Sequence, residues 1–534
     1  MNTDLGIVSY PGLDKQATLA STSWHLRVIP MGNPQCDPMS VAIKVVHFDL
    51  HATVVHPTGN KQENMYWVLI SAFLVPLLIF LISKYRTFDV IVTSVGRTPN
   101  VHSYLPWPML VVEFLWDIPA FLERCRVRYG PVYRLRIAGQ GVVIVSHAET
   151  IKYVMKDPHK CFTNNINTTI FEGVGGVTPY TINSTLINNL LSFMHKAFSN
   201  RNIHLLIPSF NQQLSANIQS FACRQTTDRV SLVTFVGRSL YSALSLSFCG
   251  PLFPTDTFSE FMLVDSNTLH FLFPFWPSSQ KAYRARASLK SKLGVFIERV
   301  GPELADDGES SYSGIEILKI LKAASVPPSD QQGVILGLML AMHAASIRMT
   351  AWFMAYILSD SSAMTRLRAE VDHAIETEFG SLESLLSAPS HRLGSHMFPL
   401  LESALKEVLR LSVAAITARE VNKDTILTVD EHTSFVIRQG DYLVTNGYTV
   451  NFDNSIFEDA RTFRIDRFLK TSAETVDLPD PVSSFGGGAH MCKGQDFAMY
   501  EMKVFAITCL RLLEIEGETA SGHICQGADA RCGR

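Results

Sequence analysis

The stretch "FGGGAHMCKGQDFAMYEMKVF", residues 485–505, sets three consecutive glycines and a single cysteine just ahead of an apolar, helix-patterned run. Glycine lets backbone approach a ligand closely, and the helical pattern of residues 497–513 begins just past Gly494. Cys492 therefore lies near a helix N-terminus, where the dipole favours the thiolate, the form that binds a metal or attacks an electrophile. A buried cysteine packed as a small hydrophobe suits the same loop, and the loop alone leaves both readings open.

The chain around this loop has 534 residues, 47% of them apolar and 18% charged, which is enough apolar material for a sizeable core and too little charge for a disordered chain. No linker divides the second half, so one large globular body is expected, without internal repeats. With 46 basic and 49 acidic residues intermixed, there is no basic stripe to neutralise phosphates, and nucleic acid is excluded as a partner. The nine cysteines form no CxxC pair, a pattern that suits a reducing compartment.

Residues 65–83, "MYWVLISAFLVPLLIFLIS", run for nineteen positions without a charge. At about 1.5 Å per residue that length crosses a bilayer, and the run lacks the polar face of an ordinary core helix. Pro76 is tolerable in lipid. Lys84, Arg86 and Arg97 follow the run, whereas Lys61 is the only basic residue in the twenty before it. The asymmetry puts the C-terminal body in the cytoplasm, leaves residues 1–64 lumenal and makes residues 65–83 an uncleaved anchor rather than a signal peptide. Residues 1–64 show neither strand alternation nor helical periodicity, and a misassigned upstream exon accounts for them equally well. The sequons at Asn167 and Asn183 fall on the cytoplasmic side and are expected to stay unglycosylated. Residues 84–110 hold three prolines between residues 98 and 110 and read as a stiff hinge. Beyond it, "RYGPVYRLRIAGQGVVIVS" predicts two paired strands joined near Gly139–Gly141.

Phe485, Gly488, His490, Cys492 and Gly494 match F-x-x-G-x-[RH]-x-C-x-G, and on these residues the loop resembles the haem-binding loop of the cytochrome P450 superfamily. Two further signatures stand in the expected order. In "ESALKEVLRL", Glu407 and Arg410 match E-x-x-R, and Ile465-Asp466-Arg467-Phe468 resembles the P-E-R-F element with Pro and Glu altered. Between them, "FVIRQGDYLVTNGYTV" places the Gly440-Asp441 turn between two alternating strands. The resemblance extends loosely over residues 100–515. It implies a mainly α fold with small β-sheets (α+β), a catalytic domain over residues 111–517, and haem b with Cys492 as axial thiolate. It further implies that Gly488 and Gly494 let amides point at the sulfur, that Phe485 shields it, and that His490 and Arg419 bind haem propionates. Glu407, Arg410 and Arg467 would form one cluster beside the haem. His195 and Lys196 occupy a region from which the family sends a basic residue to a propionate, and residues 171–184 fall in the loop that covers the substrate pocket.

The pattern departs from the family at two places. In "MHAASIRMTAWF" the usual [AG]-G-x-[DE]-T puts His343 at the glycine, Ala345 at the acid and Ser346 at the threonine. The acid is missing, so proton delivery falls to Ser346 or to Thr350 one turn on, either of which also reads as a hydroxyl bonded to the preceding helical turn. His343 reads as a polar partner rather than a second axial ligand, and Arg348 as a surface side chain rather than a carboxylate binder. The long apolar helix holding these residues is expected to be capped by Ser329-Asp330. The second departure is the end of the chain, where residues 518–534 lack the alternating strands of the family's C-terminal hairpin. The His-Ala-x-[ST] form resembles the branch of sterol hydroxylases and prostacyclin synthase.

Taken together, the resemblance implies a monooxygenase of the endoplasmic reticulum membrane. It would oxidise a lipophilic small molecule with dioxygen, and an NADPH-dependent flavoprotein reductase would supply the electrons, since the chain has no flavin or dinucleotide fingerprint of its own. Ala345 keeps open a haem-thiolate isomerase or dehydratase acting on a peroxide, and the short C-terminus a non-catalytic haem binder.

Overall fold

A computed structural model describes the strands Thr22–Pro30 and Val41–Asp49, most of residues 118–469, and residues 484–488, 491–518 and 524–525. Short gaps fall at 138–139, 158, 164–168, 180, 182–183, 199–202, 224–229, 269–270, 272–278, 306–307, 309, 414–415 and 432. The anchor at residues 65–83, the hinge and both sequons lie outside the described residues. The chain divides into two compact units, one made of Met1–Asp49, Asn164–Ile416 and Val450–Arg534, the other of Leu50–Thr163 and Thr417–Thr449.

The smaller unit is built on a five-stranded sheet in the order β3-β4-β10-β7-β5, with β3 Val132–Ile137, β4 Gln140–Val145, β5 Phe162–Thr163, β7 Ile416–Val421 and β10 Tyr442–Asn446. β3 and β4 pair antiparallel with Val132 opposite Val145, as their alternation and the intervening glycines predict. Helix Ile118–Tyr129 lays Phe121, Leu122 and Cys125 against Tyr133, Leu135 and Ile144 of these strands. Gly440, at φ 84°, supplies the left-handed turn before β10. Asp441 then takes both terminal nitrogens of Arg134, at 3.1 and 2.5 Å. A Cβ at Gly141 would collide with that carboxylate, so the glycine is what admits the ion pair. The hairpin of β8 Thr425–Thr428 and β9 Ser434–Ile437 forms its own small sheet. The turn at Gly440-Asp441 is flanked by strands as expected, but they belong to different sheets.

The larger unit is helical and gathers round the central helix Pro328–Ser359. That helix is apolar on nearly every face, which in a soluble body means burial on nearly every side. It and helix Leu232–Cys249 are each long and apolar enough to cross a bilayer, yet both are mostly buried within the core. Pro328 opens the helix at its first position, where a missing N–H costs nothing. The expected Ser329-Asp330 cap is not the cap. Pro327 occupies that position, and Asp330 accepts instead from the amide and hydroxyl of Thr178, both at 3.3 Å. The turn Thr169–Val174 and the residues after it press so closely on the central helix that a Cβ at Gly333 would lie 2.7 Å from Gly175 O, and one at Gly337 2.7 Å from the Phe171 ring. Helices Pro399–Ser412 and Gln495–Leu512 pack along the other side.

A second sheet in this unit corrects two expectations. Its order is β12-β11-β2-β1-β6, with β1 Thr22–Pro30, β2 Val41–Asp49, β6 Val230–Ser231, β11 Leu513–Glu518 and β12 Ile524–Cys525. Residues 1–64 therefore do contain strands. Trp24, Leu26 and Val28 alternate with His25 and Arg27, a short period-two signal that irregular flanks hide. The chain end likewise pairs β11 with β12 antiparallel. β2 pairs in parallel with β11 from Val41 opposite Leu513.

Candidate active site

The cysteine loop owes its shape to glycine. Gly486 and Gly488 hold φ of 74° and 59°, values that L side chains rarely adopt. The turn closes when Cys492 N–H donates to Phe485 O at 2.9 Å and Met491 N–H to Gly488 O at 3.2 Å. Gly494 follows as the N-cap of helix Gln495–Leu512, and its amide hydrogen-bonds the sulfur. Cys125, Cys161, Cys249 and Cys509 are buried, whereas Cys492 is exposed. Desolvation of its sulfur still outweighs the Gly494 amide and the Lys493 charge, so the free thiol's pKa is raised rather than lowered as the helix-dipole argument expected. A bound metal cation reverses that balance, because a coordinating thiol is deprotonated outright. His490 lies outside the described residues.

The structure contains the ion cluster that the resemblance implied. Glu407 and Arg410, three apart on helix Pro399–Ser412, pair in a fork at 2.8 and 2.8 Å, and Arg467 Nε bonds both carboxylate oxygens at 2.9 and 3.0 Å. All three side chains are buried. Arg410 reaches on to Asn451 O and Ala460 O, and Arg467 to Thr462 O, so every charge in the cluster is spent on partners. The cluster stitches residues 451–467 to the helix.

On the central helix, the predicted residues separate onto different faces. His343 points at helix Leu232–Cys249, with Nε2 3.0 Å from Ser245 Oγ and its ring 4.9 Å from that of Tyr241. Burial pushes its pKa down to about 3, so the ring is neutral, and Nδ1 has no partner among the described residues. Arg348, expected at the surface, is instead half-buried in an ion pair with Asp265, Nη2 to Oδ2 at 2.5 Å, and donates to Ala344 O. Sequence distance hid that partner, 83 residues away. Ser346 is buried, and its hydroxyl meets Met342 O at 3.1 Å, His343 O at 3.5 Å and Glu501 Oε1, on helix Gln495–Leu512, at 3.3 Å. Thr350 is buried with its hydroxyl unpartnered among the described residues. Glu501 was missed by sequence reasoning, although its helical neighbours Phe497, Ala498, Val504 and Phe505 are all apolar, the mark of an acid turned inward.

One face of this buried helix is open. Ala341 and Ala345, one turn apart, are exposed, whereas Leu340, His343, Ser346 and Ile347 around them are buried. The two methyl groups make that face apolar. A methyl-lined wall and an exposed thiol held by a backbone amide, both in the larger unit, are the donor and the packing surface that a planar haem requires, and the residues fit that group. In the smaller unit, Arg419 is buried, with hydrogen bonds to Ala418 O and the Met155 sulfur and to no carboxylate among the described residues. Burial lowers its pKa against the pull of the Asp157 charge, and a buried guanidinium of this kind suits an anionic ligand. His195 and Lys196 are exposed in the last turn of helix Ser184–Ala197.

Comparison with known proteins bears on these features directly. The chain matches the family model described as Cytochrome P450 over residues 99–523. It is 22% identical to a 24-hydroxycholesterol 7-alpha-hydroxylase of Mus musculus over 429 residues, covering 77% of this chain and 85% of that protein. A Mus musculus protein named Cytochrome P450 7B1 is 23% identical over 438 residues, covering 78% and 84%. Over a shorter stretch of 223 residues, 39% of this chain and 43% of that one, it is 28% identical to a 7-alpha-hydroxycholest-4-en-3-one 12-alpha-hydroxylase of Oryctolagus cuniculus. Among solved structures, retinoic acid bound cyanobacterial CYP120A1 superposes with a TM-score of 0.60 at 21% identity, covering 78% of this chain and 92% of that one, a likeness of fold.

Proposed function

The chain belongs to the cytochrome P450 family, and from that premise we propose that it is a membrane-bound sterol hydroxylase. It is a haem-dependent monooxygenase by family; the substrate class, the anchor and the reductase are the proposal. What carries the substrate class is the group of relatives named as hydroxylases of cholesterol derivatives, together with the open, methyl-lined face at Ala341 and Ala345, which suits a flat rigid hydrocarbon. Residues 65–83 would tether the body to the endoplasmic reticulum, where both a lipophilic substrate and a flavoprotein reductase are available.

Cys492 would hold the haem through its sulfur, and the bound haem would supply the redox and dioxygen chemistry. The chain's own residues do the rest. The Gly494 amide tempers charge on the sulfur, while Phe485 and the glycines at 486 and 488 fix the loop that presents it. Leu338 and Met339 of the central helix keep its interior dry. Ser346 holds a hydroxyl proton one residue from the open face. Phe171, seated on Gly337 four residues before Ala341, bounds that face at one end.

Membranes containing the full chain and a flavoprotein reductase, given NADPH, should convert one or more oxysterols to products heavier by a single oxygen atom that derives from dioxygen. Consumption of a lipid hydroperoxide without reductase or NADPH, and no sterol oxidation with them, would replace this reading with that of an isomerase.

A further inference from the structure

We infer that Glu501, on the helix that follows the cysteine loop, holds the proton that Ser346 passes on, and so takes the place of the acid that the central helix lacks at Ala345. The inference rests on the family's monooxygenase activity and not on the identity of the sterol. Monooxygenase turnover consumes two protons for each dioxygen reduced, and a serine without an acidic neighbour is a poor source of them.

The geometry is that of a two-group relay. Ser346 Oγ lies between Met342 O, 3.1 Å away, and Glu501 Oε1, 3.3 Å away, and both side chains are buried. With the carboxyl protonated, the serine accepts from Glu501 and donates to the carbonyl; rotation about its Cβ–Oγ bond redirects its own proton while the oxygen keeps its place beside Glu501. Glu501 has no cation to keep it ionised. Lys503 on its own helix is spent on Glu402 and Leu393 O, Arg511 on Asp372, and Arg348 on Asp265, while His343 bonds Ser245 and the Tyr500 hydroxyl meets Asn211. Burial raises the Glu501 pKa to about 8, opposed only by the bond with Ser346, so at neutral pH the group carries the proton it is asked to give. A buried acid without a charge partner is costly to the fold, and the usual compensation, a countercharge, is absent here among the described residues.

The transfer balances without electrons. The Glu501 O–H bond breaks and its proton joins the Ser346 oxygen, as the proton already there departs toward the open face. A carboxylate remains on Glu501 and is restored by one proton from water before the second delivery. Glu501 thus acts through Ser346 and is a positioning and proton-holding residue rather than one that touches substrate.

Glu501→Gln keeps the shape and a hydrogen bond to Ser346 but cannot release a proton at neutral pH. In the haem-loaded full chain, infrared difference spectra recorded against pH should contain a protonated carboxyl C=O band, shifted in D2O, that disappears near pH 8 and is missing from Glu501→Gln. With reductase and NADPH, the same variant should form product roughly a hundredfold more slowly and divert electrons to peroxide, with haem content unchanged. Ser346→Ala cuts the link from the other side, and should give the same loss of coupling while retaining the carboxyl band, which keeps the test alive if the Gln variant folds poorly. Two results overturn the inference: no carboxyl band in the unsubstituted chain, or a Glu501→Gln enzyme whose coupling and solvent isotope effect match the unsubstituted one, which makes the contact a structural pin. Neither the band nor peroxide release depends on having the right sterol, so their presence without any sterol product supports the relay and counts against the substrate class alone.

Discussion

At the scale of single residues, two buried titratable groups give the fold opposite responses to pH. His343 stays neutral down to about pH 3, whereas in the unfolded chain a histidine takes up its proton near 6.5. Between those values the unfolded state binds one more proton, so stability falls as pH falls, by up to about 1.4 kcal/mol per unit. Glu501 stays protonated up to about pH 8 although its unfolded counterpart ionises near 4.5, so the folded state binds the extra proton and stability falls as pH rises through that window. Urea unfolding as a function of pH should therefore show a flatter acid limb for His343→Gln and a flatter alkaline limb for Glu501→Gln than for the parent chain. Parallel curves for parent and variant would mean that the group in question is solvated. Arg348 shows why such details escape a sequence: its charge suggested the surface, and only the fold brings Asp265 to it.

At the scale of elements, spacing was most informative where a partner is three or four residues away and least where it is remote. Glu407 and Arg410 were legible as a helical pair, and Arg467 joined them because its motif stood in order, yet only the structure shows the carboxylate clamped by both guanidinia with no exposed charge. Glu407→Ala should leave two buried cations unpaired and cost about 3–5 kcal/mol, read as a lowered urea midpoint and a loss of bound haem. A change within about 1 kcal/mol would place the cluster among solvated surface pairs. The close seam between the turn Thr169–Val174 and the central helix makes a second element-level case. At Gly333 an added methyl would meet backbone, Gly175 O at 2.7 Å, which has little room to retreat. Gly333→Ala should lower stability by about 1–3 kcal/mol, whereas Gly301→Ala, whose Cβ meets nothing, should not. Equal melting temperatures for the two variants would mean that the seam yields freely.

For the whole molecule, the helical body and the cysteine loop were legible because long apolar periodicity and a spaced glycine-cysteine pattern are local signals. The terminal sheet was not, because β2 and β11 lie hundreds of residues apart, so that β2 finds β11 only once the chain has folded. The face left open by Ala341 and Ala345 was hidden for a related reason: alanine reads as core filler until the neighbours that should cover it are seen to be missing. Everything proposed for the site depends on Cys492 holding a haem through its sulfur. The direct test is the Soret band of the reduced, carbon-monoxide-bound full chain in membranes, recorded beside Cys492→Ala. A strongly red-shifted band that the substitution abolishes is the predicted result; a band at the position of an ordinary, non-thiolate haem, unchanged by Cys492→Ala, would contradict the account.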